Sequence, residues 1–304
     1  MLVREIVGPA ARDVARDAGD GADGGVDMEG FFDGSLVQRA LLTGAMVGLL
    51  CPIMGLFLVA RRLAAIGEVL AHVNLLGVAV GAMAGSAVPF LASLTPPAYG
   101  MAFAVLGAFA VLGLRRAYAQ FAELAVPILL AVALGASVVL FRLMGGFGAD
   151  LAGYLFGNLV AVQSADLQLV AVATALVLGG VALLYKELFA VTFDAEYARV
   201  VGIPVRAVEN AFIVMMALTI SAAVRAVGVL LVSGLMVVPV AAGMLVASGF
   251  RRTLVASLAI SELSVAIGFA LAYGFRLATG GTIVLVALFF LLVAAVYRHL
   301  RERG

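Results

Sequence analysis

From Leu36 to Tyr297 the chain is a series of apolar runs separated by short polar breaks. Each run is near the ~20 residues that a helix needs to cross a bilayer core. The pattern predicts spans at about 36–60, 64–84, 98–114, 124–144, 166–185, 207–224, 227–248, 253–274 and 280–297. The expected fold is therefore all-α, a polytopic transmembrane bundle of eight to nine spans with nine as the working count. The second run holds charged residues and many glycines, and is expected to be the irregular one. Pro52, Pro127 and Pro239 fall inside runs and should kink them or loosen hydrogen bonding locally. Gly44/Gly48 and Gly77/Gly81/Gly85 form GxxxG patterns, expected to let helices of the same chain pack closely.

The polar breaks alternate in charge. Arg61/Arg62, Arg115/Arg116, Lys186, Arg199/Arg206, Arg251/Arg252 and Arg298/Arg301/Arg303 fall in alternate loops and hold twelve of the nineteen basic residues. By the positive-inside rule those loops and the C-terminus are cytoplasmic, and nine spans would put the N-terminal tail outside. Composition agrees with a membrane class: 64% hydrophobic, 12% charged and mean hydropathy +1.18, where about 25% charged is typical of soluble domains.

Residues 1–34 differ in kind. They carry three arginines and eight acids with few large apolar side chains, and are expected to be an acidic, disordered tail preceding a transmembrane domain at 35–304. The external loops near 86–97 and 145–165 are too short to form a folded domain, so any capture of substrate outside must fall to another protein. Within the second loop, YLFGNL is expected to be a short interfacial helix anchored by Tyr154 and Phe156.

Two stretches carry candidate chemistry. Glu68 and His72, four residues apart, would share one helix face inside an apolar run. An ionisable pair at that depth is a functional hypothesis, here a divalent-metal site. The alternative, a helix end with Glu68 paired to Arg61 or Arg62, stays open. The other stretch is 186–209, the longest polar interruption of the body. Asp194 can cap a short helix there, with Glu196 in its first turn, Arg199 near its end and Gly202 and Pro204 stopping it. Simply turning the chain would not need some twenty residues, so a docking element is expected.

Several chemistries are excluded. Lys186 is the only lysine and follows Tyr185, so no Gly-Lys-Ser/Thr phosphate loop exists and any ATPase must be a separate subunit. Cys51 is the only cysteine, which removes internal disulfides and CxxC sites. Only two histidines are present, and His299 lies in the polar C-terminal RHLRERG, so no catalytic triad and no enzyme is expected. Nothing points to nucleic acid.

Four pieces, LLCPIMGLFLVARRLAAIGEVLAHVNLLGVAVG, YLFGNLVAVQSADL, LFAVTFDAEYARVVGI and RAVGVLLVSGLMVVPVAAGMLVA, occur in an order and spacing that resemble the membrane permease subunits of bacterial ABC importers for zinc, manganese or iron, the ABC-3 type. The resemblance covers Leu36 to Arg298. The family's Gly-Asp-x-Leu-(Ala/Ser)-His reads Gly67-Glu68-Val69-Leu70-Ala71-His72 here. It implies a multi-pass protein of the cytoplasmic membrane, paired with a second permease copy, served by a cytoplasmic ATP-binding subunit and by an external metal-binding protein. It also implies that Glu68 and His72 line the path of a Zn²⁺, Mn²⁺ or Fe²⁺ cargo, with no cofactor bound permanently, and that Asp194, Glu196, Arg199 and Gly202 couple to the ATPase.

There are departures. Glu68 replaces the usual Asp, and Asn74 stands where small or hydroxyl residues are usual, either as a hydrogen-bonding support for the metal ligands or as plain packing toward a polar neighbour. ATGG at 278–281 lacks the family's usual proline. Glu262 is a second intramembrane acid, read as a polar interhelical contact, and Arg225 is expected to snorkel at the outer interface. Two other function classes remain: a permease for a metal chelate of the siderophore or cobalamin type, and a metal transporter working without an ATPase.

Overall fold

Apolar runs of this length can satisfy their backbone groups inside a membrane only by internal hydrogen bonding. The computed structural model describes residues 35–87, 95–144, 149–157, 159 and 162–303, and among them every regular element is a helix. The tail at 1–34 and most of the loop near 86–97 lie outside the described residues, as does the side chain of Arg225. Residues 39–304 group as one compact unit.

Twelve α-helices follow in order: α1 Ser35–Ala60, α2 Ala64–Ala87, α3 Pro96–Ala117, α4 Ala125–Leu143, α5 Ala149–Phe156, α6 Ser164–Leu183, α7 Tyr185–Phe193, α8 Ala195–Val200, α9 Val205–Val227, α10 Val232–Val246, α11 Phe250–Phe275 and α12 Thr279–Arg303. Eight of them are long and apolar enough to cross a bilayer. The arginine pairs cluster where α1 meets α2, at the end of α3 and at the start of α11, so the long helices alternate between a basic end and an opposite end.

α2 is the centre of the bundle. It packs on α3, α4, α9 and α10, while α10, α11 and α12 pack mutually. It is also a regular helix of 24 residues, not the irregular span expected, because its glycines face neighbours and do not break the turn. A Cβ on Gly77 would lie 2.5 Å from that of Phe103, and one on Gly81 would lie 2.6 Å from the Tyr99 ring, so both glycines seat α3. Gly44 and Gly48 do the same for α11 through Val265. Gly44, Gly48, Gly77 and Gly81 thus serve packing within the chain. Pro127 does not kink a helix either: it sits in the first turn of α4, where its missing N–H has no partner to lose.

The irregular span is the seventh. Only 15 residues of it, α10, are helical, about 22 Å of rise and too short to cross the core alone. Before it, α9 ends at Gly228, whose φ of 91° and ψ of 158° are open to glycine alone. The N–H groups of Val229 and Leu230 then donate to the carbonyls of Tyr154 (2.9 Å) and Leu155 (3.2 Å) of α5. Thus α5 ends at Phe156, short of the expected YLFGNL helix, and supplies acceptors for backbone that would otherwise be unpaired. Gly157, Gly228 and Gly280 meet here, and a Cβ on any of them would collide with backbone of the others' strands of chain. Thr279 of the ATGG turn closes the knot by accepting from the Leu159 N–H at 3.2 Å.

Candidate translocation site and docking helix

Glu68 is the fifth residue of α2, about 6 Å along the helix axis from the basic end, and His72 lies about one turn further. Although 72% of the α2 window is buried, the Glu68 side chain is exposed. His72 is buried, and its Nδ1 lies 2.9 Å from the Glu68 carbonyl oxygen. A carbonyl only accepts, so Nδ1 carries a proton, and in the neutral ring Nε2 has the lone pair that a metal ion would use. Anchoring one ring nitrogen on a carbonyl is how metal-binding histidines are commonly oriented.

The alternative pairing of Glu68 with an arginine is not what Arg61 does. Its Nε donates to Thr192 Oγ1 at 2.9 Å and its Nη2 to the Leu188 carbonyl at 3.4 Å, and its guanidinium carbon sits 4.3 Å from the Phe212 ring centroid. Two of these partners lie on α7 and one on α9, none on α2. Burial lowers the Arg61 pKa, and the Glu209 carboxylate partly restores it.

Asn74 is buried two positions beyond His72, about 200° round the helix. Its amide donates to Ser221 Oγ on α9 at 2.8 Å, and it abuts Gly100 of α3. The structure therefore places it in the α2–α3–α9 seam. Glu262 lies over Gly48, where an added Cβ would be 3.1 Å from its Oε1, an interhelical position on the α1–α11 seam. Among the described residues no three His, Cys, Asp or Glu side chains gather into one site. Within the described residues Glu68 and His72 stand as an acid and a histidine one turn apart on α2.

The second candidate element forms as its residues dictate. Asp194 Oδ1 accepts from the Tyr197 N–H at 2.8 Å, capping α8, with Glu196 in the first turn and Arg199 in the last. Gly202, at φ 90°, ends it: its N–H donates to Arg199 O and that of Ile203 to Ala198 O, the paired bonds of a Schellman stop. One face of α8 is buried at Ala198, whereas Tyr197, Val200 and Val201 are exposed, as is Phe193 just before the helix. Four apolar side chains are thus exposed together at a polar end of the bundle.

Residues 33–298 match the ABC 3 transport family. The chain belongs to that family. Among its relatives, the "Probable metal transport system membrane protein" of Treponema pallidum is 32% identical over 261 residues, covering 85% of this chain and 94% of that one. The manganese transport system membrane protein MntC of Halalkalibacterium halodurans is 30% identical over 253 residues, covering 83% and 84%. A solved structure, PsaBC from Streptococcus pneumoniae in complex with Fab, superposes with a TM-score of 0.77 at 25% identity, covering 88% and 93%.

What sequence reasoning missed in this ABC 3 chain is the joint behind α8. Phe250, at the start of α11, meets Phe57 of α1 at 5.1 Å and Phe189 of α7 at 5.2 Å between ring centroids, with Phe193 and Tyr185 at 6.0 and 6.5 Å. Phe57 in turn meets Phe212 of α9 at 6.5 Å. These rings come from four helices far apart in the chain. Their aromatic character is visible one at a time, but not their meeting.

Proposed function

We propose that the chain is the membrane-spanning permease of an ATP-driven importer that carries a divalent transition-metal ion into the cell. The basic end faces the cytoplasm, so nine traversals leave the C-terminus inside, and the membrane is the bacterial cytoplasmic membrane. The observation that carries the reading is an exposed carboxylate on the most enclosed helix, one turn from a buried histidine whose Nε2 is left free. A charge there is too costly to face lipid. Facing the same pair from a second copy, it would line an axial path with four ligands, two carboxylates and two imidazoles. That set suits Mn²⁺, Fe²⁺ or Zn²⁺, and the names of the MntC relatives favour manganese. Such a site holds the ion briefly and lets it leave, as conduction requires.

In this reading Asp194, Glu196, Arg199 and Gly202 form the contact to a separate ATP-hydrolysing subunit, and an external metal-binding protein delivers the cargo. The exposed apolar face of α8 supports the first of these partners, and the short external loops support the second.

The test is ATP-dependent uptake of ⁵⁴Mn, ⁶⁵Zn and ⁵⁵Fe into vesicles holding the full complex, for wild type, Glu68→Ala and His72→Ala. The expected result is uptake of ⁵⁴Mn that both substitutions abolish while the complex still assembles. Undiminished uptake in both variants would return the pair to helix packing, and uptake of a metal chelate in place of the free ions would reassign the cargo.

A further inference from the structure

A cleft of about 520 Å³ opens at the basic end of the bundle, between the α1–α2 turn, the end of α3 and the facing sides of α7 and α9. Arg61, Arg62, Arg115 and Arg116 all line it, against one carboxylate, Glu209. The last turn of α3 welcomes two cations for its own dipole, but that does not account for two more from another element. Among the described residues no carboxylate forms an ion pair with Arg62, Arg115 or Arg116. Arg61 is half-buried and held by Thr192, Leu188 and the Phe212 ring, which fixes its guanidinium plane and leaves Nη1 free of those contacts. Arg62 keeps a left-handed φ of 57°, a conformation that favours glycine, at the turn that brings it to the same cleft.

Four guanidinium groups with one opposing charge are short of anions. Planar forks of N–H donors match the oxygens of a phosphate in pairs, which a lysine cluster would not do. Leu63, Leu112 and Ile213 supply apolar wall between the arginines. The cleft also sits where the apolar runs of α1, α2 and α3 end, and basic pockets between transmembrane helices on the cytoplasmic side take anionic lipid headgroups. We infer that this cleft binds the phosphate of an anionic phospholipid. The inference does not depend on the metal cargo.

The experiment is native mass spectrometry of the full-length permease in mild detergent, titrated with phosphatidylglycerol, phosphatidylcholine or inorganic phosphate. Wild type is compared with the triple variant Arg62→Gln, Arg115→Gln, Arg116→Gln, and with Arg116→Gln alone, since Arg116 is exposed and its loss cannot unfold the chain. Arg61 is left in place because its contacts hold α7. Phosphatidylglycerol is expected to bind at least tenfold tighter than phosphatidylcholine, to lose that margin in the triple variant, to weaken measurably in Arg116→Gln, and to persist in millimolar inorganic phosphate. Equal binding of the two lipids, or equal binding by wild type and variants, overturns the assignment. Binding of inorganic phosphate with no preference between lipids overturns the lipid source.

Discussion

Gly228→Ala offers the sharpest test of why the seventh span starts late. At φ 91° and ψ 158° an alanine would sit in a region that costs about 1–3 kcal/mol. Its Cβ would also meet the Gly157 N, the Leu155 carbonyl at 2.5 Å and the Phe156 carbonyl carbon at 2.6 Å, all backbone and unable to rotate away. Crowding of that kind adds about 1–3 kcal/mol. The sum, roughly 2–6 kcal/mol, is a large part of a native stability of about 5–15 kcal/mol, and would lower the apparent melting temperature by on the order of 10 °C. Gly249 separates the two terms, because it has φ 86° and ψ 149° with nothing within 4 Å of an added Cβ. Gly249→Ala should cost only the backbone part. Gly274, with ordinary φ and open space, should tolerate alanine with no loss. The assay is built in: Cys51 is the only cysteine and is fully buried, so a thiol-reactive dye reports opening of the bundle on heating. A Gly228→Ala protein melting within 2 °C of Gly249→Ala would refute the three-way backbone crossing.

Two further predictions concern the basic end. Replacing Glu196 and Arg199 together with alanine should raise the ATP hydrolysed per metal ion imported by roughly fivefold or more while leaving the melting temperature unchanged; an unaltered ratio would remove α8 from coupling. Phe250→Ala forfeits four ring contacts worth about 0.5–1.5 kcal/mol each, so amide exchange over 185–200 should quicken at least tenfold in hydrogen-exchange mass spectrometry while α12 is unaffected. Unchanged exchange in that segment would mean that the rings do not hold α7.

Span positions were legible because hydropathy is a local property and a continuous apolar run of about 20 residues in a bilayer satisfies its backbone groups as a helix. The α8 motif was legible for the same reason: Asp194, Gly202 and Pro204 act within one or two turns of themselves. The late start of α10 was not. Residues 227–248 are continuously apolar, and the break at Gly228 is imposed by backbone from residues 155–157 and 280, which no window of sequence contains. Likewise the glycines of α2 read as irregularity along the chain but act across it, as seats for Tyr99 and Phe103. Asn74 shows the limit for side chains. Its spacing from His72 placed it beside the pair in sequence, yet 3.6 residues per turn sends it toward Ser221 on the opposite side. Arg61 could reach Glu68 or α7 by length alone, and the presence of Thr192 and Phe212 decides the matter.

That choice by Arg61 joins the two candidate elements. α1 ends at the turn 61–63 with Leu63 N–H donating to Leu58 O and Arg62 N–H to Val59 O, and α2 begins one residue later. The turn is short and hydrogen-bonded, so Arg61 is joined through it to the first turn of α2, and Glu68 follows directly after that turn. On its other side Arg61 is held by Leu188 and Thr192 of α7, whose next element is α8. Adjacency alone is not coupling, which also needs an element with two stable arrangements. α7 suits that role better than the long helices do. It is nine residues long and is held by its buried Leu188 and Val191, by aromatic edges and by one guanidinium, where the long helices interlock through glycine-seated backbone. Should α8 take up the motion of an ATPase, the contacts through which it could reach the start of α2 are those of Arg61 with Thr192 and Leu188.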